Sequence, residues 1–230
     1  MRKKLFATLD VYHQGGAPSA AMNMAIDEAL LECVAVPAIR FYRWLSPALS
    51  FGYFGRFADV AGYQHERDLV RRWTGGGVVL HGEDLTYSLV IPANHAAFHE
   101  LSMSIYEKVH QALRDALSET GQRAIVAADP DRGDVTDVNA PGYSCFENPV
   151  RADVMIDGRK IAGAAQRRTR RGLLQQGSIQ RIKLGKNLTE QFAQALAITW
   201  HEQKADEKVL NRARELTEQK YCTENWLRKR

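Results

Sequence analysis

Three consecutive glycines, Gly75-Gly76-Gly77, lie between two apolar, β-branched runs, with Arg71 and Arg72 just before them and His81 soon after. Glycine admits positive φ and lets a backbone approach a ligand with no Cβ in the way. Three in a row cost chain entropy, so a tight turn alone is a poor reason for them. Two readings are open: a Gly-rich hairpin, or a loop that cradles a carboxylate, phosphate or acyl chain, which the flanking arginines and histidine favour. Cys145 sits in Tyr143-Ser144-Cys145-Phe146-Glu147. A thiolate is a strong nucleophile and splits a difficult acyl transfer into two easier steps, although a cysteine is also a small packing residue. Lys160 follows an Asp157-Gly158 turn that pairs its strand with the one after Cys145. An ammonium near a thiol favours the thiolate and stabilises a developing oxyanion; the alternative is a solvent-facing lysine on a hairpin. Ala162, Gly163, Ala164 and Ala165 follow directly and suit a surface that leaves room for a ligand.

These groups need a scaffold. A first strand is expected over 5–11, and Ser19 is placed to cap a helix over 20–33 whose apolar positions include Met24, Leu30 and Leu31. Asp27 and Glu28 inside it are either acids that anchor loops or ordinary surface acids. Strands are expected at 38–44, beyond the turn 47–52, at Arg71, over 85–91 up to Pro92, and at 123–127, with a short helix over 60–67. Ile105, Val109, Leu113 and Leu117 mark a helix over 102–119 that Gly121 ends. The stretch 128–142 has little to bury, and long loops inside compact domains are often functional. Strands at 152–156, 159–166 and 173–182 follow. From Thr189 onward, Phe192, Leu196, Ile198 and Trp200 read as amphipathic helix. No repeat or linker divides the chain, which reads as one domain over 1–230.

A net charge of +4 favours acidic partners. The basic clusters at 167–171 and 227–230 lack an aromatic stacking pattern, so no nucleic-acid partner is expected. The start Met1-Arg2-Lys3-Lys4 imitates a signal peptide, but Thr8, Asp10 and His13 interrupt any apolar core, which argues against export. No run approaches the ~18 apolar residues of a membrane span, so no membrane partner is expected. Cys33, Cys145 and Cys222 are odd in number and widely spaced, which argues against a disulfide scaffold or a metal site and for a reducing cytoplasm.

The stretch Arg71 to His81 resembles the RRxTGGGxVxH signature of the superfamily of lipoate–protein ligases, octanoyltransferases and biotin–protein ligases. Gly158 to Arg167 is similar to its GRKIxGxAQxR block, and Leu173 to Ile179 to its LxHGSI strand, with Gln176 where that family usually has histidine. Asn23 to Glu28 matches its NMxxDE pattern. Arg40 to Trp44 and Leu49 to Tyr53 are similar to its RFYxW…SxG segment, whose second run borders the acyl pocket, a match that lifts Phe51 and Tyr53 above ordinary core aromatics. Leu85-Thr86-Tyr87-Ser88 resembles the octanoyltransferase branch more closely than the ATP-dependent ligases, and Ser144-Cys145-Phe146 resembles the octanoyltransferases that use a cysteine–lysine pair. The matching blocks run from about Met22 to Ile179 in family order.

The resemblance implies an α/β (α+β) domain with a central, mostly antiparallel sheet flanked by helices. It implies catalysis by Cys145 with Lys160, and substrate binding by Arg71, Arg72, Thr74, Gly75, Gly76, Gly77, His81, Ala162, Gly163, Gln176 and Gly177. His81 either supports the carbonyl oxygen or is structural. Octanoyl-acyl carrier protein is the implied donor, and lipoyl domains of 2-oxoacid dehydrogenase or glycine cleavage complexes are the implied acceptors. No cofactor is expected, because thioester exchange is nearly balanced and the product amide is more stable. One alternative is an ATP-dependent lipoate–protein ligase, using ATP and Mg, or the catalytic half of a split one, with Cys145 incidental. The roughly 50 residues after Ile179 are few for the accessory domain such ligases carry, which weighs toward transferase. A non-catalytic binder of acyl or lipoyl proteins is the other alternative, and Gln176 is its best support.

Overall fold

The computed structural model describes residues 3–13, 16–128 and 150–229. Cys145 lies outside the described residues. With strands numbered along the chain, one sheet has the spatial order β11 (Ala197–Gln203), β1 (Phe6–His13), β2 (Ala38–Tyr42), β6 (Leu85–Pro92), β10 (Gly172–Ile179), β9 (Arg159–Arg168), β8 (Val154–Ile156), β7 (Ala124–Val126). β1 pairs in parallel with β2 and β11, and every other neighbour is antiparallel. This is the mixed, mostly antiparallel sheet that was expected. The central strands β6 and β10 are buried along their whole length, as strands covered on both faces must be.

Helices α2 (Ser102–Glu119) and α3 (Leu188–Leu196) cover one face, and α1 (Ala20–Cys33) and α4 (Glu207–Leu216) the other. The alternation of side chains across β6 divides the core accordingly: Leu89 and Ile91 join α2 and α3, while Val90 between them joins α1. The Ser19 hydroxyl accepts from the Met22 N–H at 3.3 Å, which satisfies a first-turn donor of α1. Asp27 and Glu28 are both buried, so they are anchors and not surface acids. Glu28 accepts from Tyr221 and Lys220, both at 2.5 Å, and so fastens the C-terminal segment to α1.

A second sheet of three strands has β3 (Ala48–Phe51) between β4 (Asp68–Arg71) and β5 (Val79–His81). β3 runs parallel to β4 and antiparallel to β5. The triple glycine therefore joins two strands that do not pair with each other, which removes the hairpin reading. The Asp157-Gly158 turn has φ of 49° and 72°, the two positive values that a tight type I′ hairpin requires.

Two expected elements are corrected. The chain after Thr189 is not helical throughout: Ala197–Gln203 is β11, paired with β1 from Phe6↔Ala197 to Tyr12↔Gln203. Ile198, Thr199 and Trp200 have the β-branched and aromatic character of a strand. Their partner strand is nearly the whole chain away, so a local 3.6-residue pattern could not reveal it. The stretch 60–67 also holds one short 3₁₀ turn, Ala61–Tyr63, in place of the expected helix.

Candidate active site

The site stands on the sheet face that α1 covers. Register aligns Tyr42, Thr86, Ser178 and Gly163 in one cross-strand row, and Arg40, Ser88, Gln176 and Ala165 in the next. The glycine loop lies across this face, where a Cβ on Gly76 would stand 3.2 Å from the Ala165 Cβ. Between loop and sheet is a narrow slot of about 50 Å³, walled by Met24, Trp44, Val79 and Ala165, with Ser50, Arg72, His81, Lys160 and Gln176 among its polar groups.

Lys160 is buried, and its ammonium lies 2.8 Å from Oδ2 of the fully buried Asp153. Tyr106 donates to Oδ1 of Asp153 at 2.6 Å, and the Val150 N–H donates to Oδ2 at 2.8 Å. The carboxylate is thus fixed from three sides and holds the lysine at the slot. The register between β8 and β9 slips beside it, with Met155 opposite Lys160 but Val154 opposite Ala162. Such a bulge re-aims a side chain. Gly163 is glycine because a Cβ there would come within 2.6 Å of the Lys160 Cε.

Gln176 bridges two elements. Its Oε1 accepts from the Thr74 hydroxyl at 2.8 Å, and its Nε2 donates to Oδ2 of Asp27 at 2.7 Å. Asp27 also accepts from Tyr42, Ser88 and Arg40, the last as a buried ion pair at 2.7 Å. The slot floor is therefore a fully bonded polar net that ties α1, β2, β6 and β10 together.

On the opposite wall, Arg72 donates to the Ser50 hydroxyl at 2.6 Å and to the carbonyls of Gly75 and Gly77 at 3.1 and 2.8 Å, shaping the glycine loop. His81 Nε2 lies 2.7 Å from Ser50 Oγ, and its Nδ1 lies 2.8 Å from Oδ2 of Asp84. Asp84 also accepts from Thr86, Ser178 and the Gly82 N–H. Trp44 stacks on the imidazole at 3.9 Å. Burial pushes the His81 pKa below its ordinary value, although Asp84 pulls it back up. Burial alone would raise Asp84, but the hydrogen bonds from His81, Ser178 and Gly82 leave it below the usual carboxylate range.

Of the residues singled out from the sequence, the slot collects Arg72, Gly76, His81, Lys160, Gly163, Gln176 and Gly177. Thr74 stands behind Gln176. Ala162 is packed in the core on the α2 side of the sheet. Arg71 points away: its guanidinium donates to the carbonyls of Tyr53, Gly55, Trp226, Leu227 and Lys229 and lies 4.6 Å from the Phe51 ring centroid. It staples the C-terminal segment to the loop after β3. Phe51 is core, and Tyr53 packs near Trp226 and Arg167, so neither lines the slot. The residue of that run that does is Ser50. Asp153, Asp84 and Ser50 were not singled out; Asp153 and Ser50 owe their places to tertiary hydrogen bonds, whereas Asp84 lies only three residues after the His81 it holds.

Comparison with known proteins places the chain in a family. The family model described as the lipoyl protein ligase A/B catalytic domain matches residues 19–219. Octanoyltransferase LipM of Bacillus cereus is 37% identical over 178 residues, covering 73% of this chain and 64% of its own length. Octanoyltransferase LipM of Oceanobacillus iheyensis is 40% identical over 173 residues, covering 70% and 59%. The chain thus spans less than two thirds of the length of these curated relatives. Among solved structures, lipoate-protein ligase A bound with ATP superposes with a TM-score of 0.73 at 23% identity, covering 96% of this chain and 98% of that one. A bi-partite lipoate protein ligase from Thermoplasma acidophilum gives 0.70 at 22% identity, covering 96% of both. At these identities the structural likeness speaks for the fold.

Proposed function

Because the chain belongs to the family of lipoyl protein ligase A/B catalytic domains, we propose that it is an octanoyltransferase: it moves an octanoyl group from octanoyl-acyl carrier protein to a lysine of a lipoyl domain, through a thioester on Cys145. What supports the activity is the name that its LipM relatives carry. The observation that carries the chemistry is the ammonium of Lys160, pinned on Asp153 and lining the slot. A cation held in position before reaction stabilises a thiolate and then the oxyanion that forms when it attacks.

In this reading the Cys145 thiolate attacks the donor thioester, the donor C–S bond breaks, and the carrier thiol departs. The acceptor amine then attacks the new thioester and leaves as the octanoyl amide. No cofactor takes part. Lipoyl domains of 2-oxoacid dehydrogenase or glycine cleavage complexes are the acceptors, and the cytoplasm is the setting. Among the described residues no helix is long and apolar enough to cross a membrane.

Intact-protein mass spectrometry after mixing with octanoyl-acyl carrier protein, without ATP, tests the reading. The expected result is an octanoyl adduct that hydroxylamine removes and that Cys145→Ala does not form. Lys160→Ala should slow its formation by about 10²-fold or more, the usual weight of a positioned charge-stabilising donor. Absence of an adduct, with lipoyl-adenylate formed from lipoic acid and ATP, would overturn the transferase in favour of a ligase. Silence in both would leave a binder.

A further inference from the structure

Ser50, His81 and Asp84 are bonded in series, and the Ser50 end opens on the slot. The direction of the protons follows from Asp84. An ionised carboxylate only accepts, so His81 Nδ1 carries the ring proton and donates it to Asp84. In the neutral ring Nε2 is then the acceptor, and it takes the hydrogen bond of the Ser50 hydroxyl, whose oxygen accepts from Arg72 Nη1. The imidazole is neutral, correctly turned, and backed by a carboxylate that three further donors hold in place. Of the two lone pairs of the Ser50 hydroxyl, Arg72 uses one. Rigid packing alone does not require such a chain to end at a cavity.

We propose that Ser50, His81 and Asp84 form a proton path that takes the proton the acceptor amine must lose as it attacks the acyl-enzyme. The proposal deepens the transferase reading and rests on it. As the amine nitrogen bonds to the thioester carbonyl carbon, its N–H becomes acidic and passes its proton to Ser50 Oγ. Ser50 passes its own proton to His81 Nε2, and Asp84 stabilises the imidazolium, which is the work of a positioned general base. The C–S bond breaks, the departing sulfur takes the proton of the Ser50 hydroxyl, and His81 Nε2 returns its proton to Ser50. The sum is acyl-thioester plus amine giving amide plus thiol, with no proton left over. Lys160 keeps a separate task, at the oxygen.

The test uses the difference between two nucleophiles. A thiol attacks as thiolate and has no proton to lose at the bond-forming step; an amine does. Wild type, Ser50→Ala and His81→Gln are loaded with octanoyl groups from octanoyl-acyl carrier protein. Discharge of each is then timed with a lipoyl domain and, separately, with free pantetheine. The expected result is that both variants slow discharge by the lipoyl domain about 10²-fold more than discharge by pantetheine, the scale of general-base catalysis. Equal slowing of the two discharges would mark the chain as structural and overturn the proposal. Each variant cuts the path at a different bond, so if one does not fold the other decides. A wild type that takes up no acyl group at all would instead overturn the transferase reading, and the proton path with it.

Discussion

At the scale of single residues, Gln176 shows what its neighbours demand. Its Nε2 donates to Asp27 and, at 3.4 Å, to the Met24 sulfur, and its Oε1 accepts from Thr74. A neutral imidazole offers one donor and one acceptor, so glutamine at 176 keeps the two oxygen-partnered bonds that a histidine could make there, while removing a group that titrates. We therefore expect Gln176→His to melt within a few degrees of wild type at neutral pH. Gln176→Leu leaves the Thr74 hydroxyl without its acceptor and removes a donor from buried Asp27, a loss of about 1–3 kcal/mol. Thermal and urea unfolding of the two variants checks this, and equal losses in both would contradict it. The substitution is thus poor support for a non-catalytic protein. Position 176 was conspicuous in the sequence, but its two oxygen partners were not, since they lie 102 and 149 residues away.

At the scale of elements, the glycine loop does not ask the same of each glycine. Gly76 has a φ of 80° and already lies close to Ala165 and Arg72, whereas a Cβ on Gly75 would meet nothing within 4 Å. Gly76→Ala should cost about 1–2 kcal/mol for the left-handed backbone alone. It should also hinder acyl loading, because the slot of about 50 Å³ is far below the ~300 Å³ of a small-molecule site and has to widen where Gly76 lies. Gly75→Ala should leave both stability and loading near wild type; denaturation curves and acyl-enzyme formation for the pair would show whether the two differ. The triplet was legible from composition, but the unequal roles within it depend on how the loop meets β9 and β3. Gly52 illustrates this, since a Cβ there would lie 1.9 Å from the Gly76 carbonyl oxygen. Helices α1 and α2 were legible residue for residue, because capping and periodicity are local. β11 was not, because a parallel pairing between the two ends of the chain leaves no local mark.

At the scale of the whole molecule, the site is joined to global stability through a buried histidine. His110 on α2 is enclosed by the sheet, where its Nδ1 donates to the Ala152 carbonyl at 2.6 Å and its Nε2 accepts from the Tyr87 hydroxyl at 3.0 Å. Burial lowers its pKa from 6.5 to about 4, against the raising effect of the Ala152 carbonyl and Asp153, with Lys160 adding to the lowering. The residue that follows Ala152 is Asp153, the anchor of Lys160, so this histidine buttresses the segment on which the proposed chemistry depends. Its contribution to stability has a definite sign. Between pH 6.5 and about 4 the unfolded chain binds a proton that the native protein refuses, so stability falls as the pH falls through that window. A shift of that size corresponds to about 3 kcal/mol lost by its lower end. Buried His81, lowered in the same direction, adds to the loss. Urea unfolding from pH 7 down to 4.5 should show this decline. His110→Gln should be less stable at pH 7, because it keeps the two hydrogen bonds imperfectly, yet it should decline less steeply with acid. A variant that keeps the full wild-type slope would place the acid sensitivity elsewhere, at buried His81, whose pKa is lowered in the same direction.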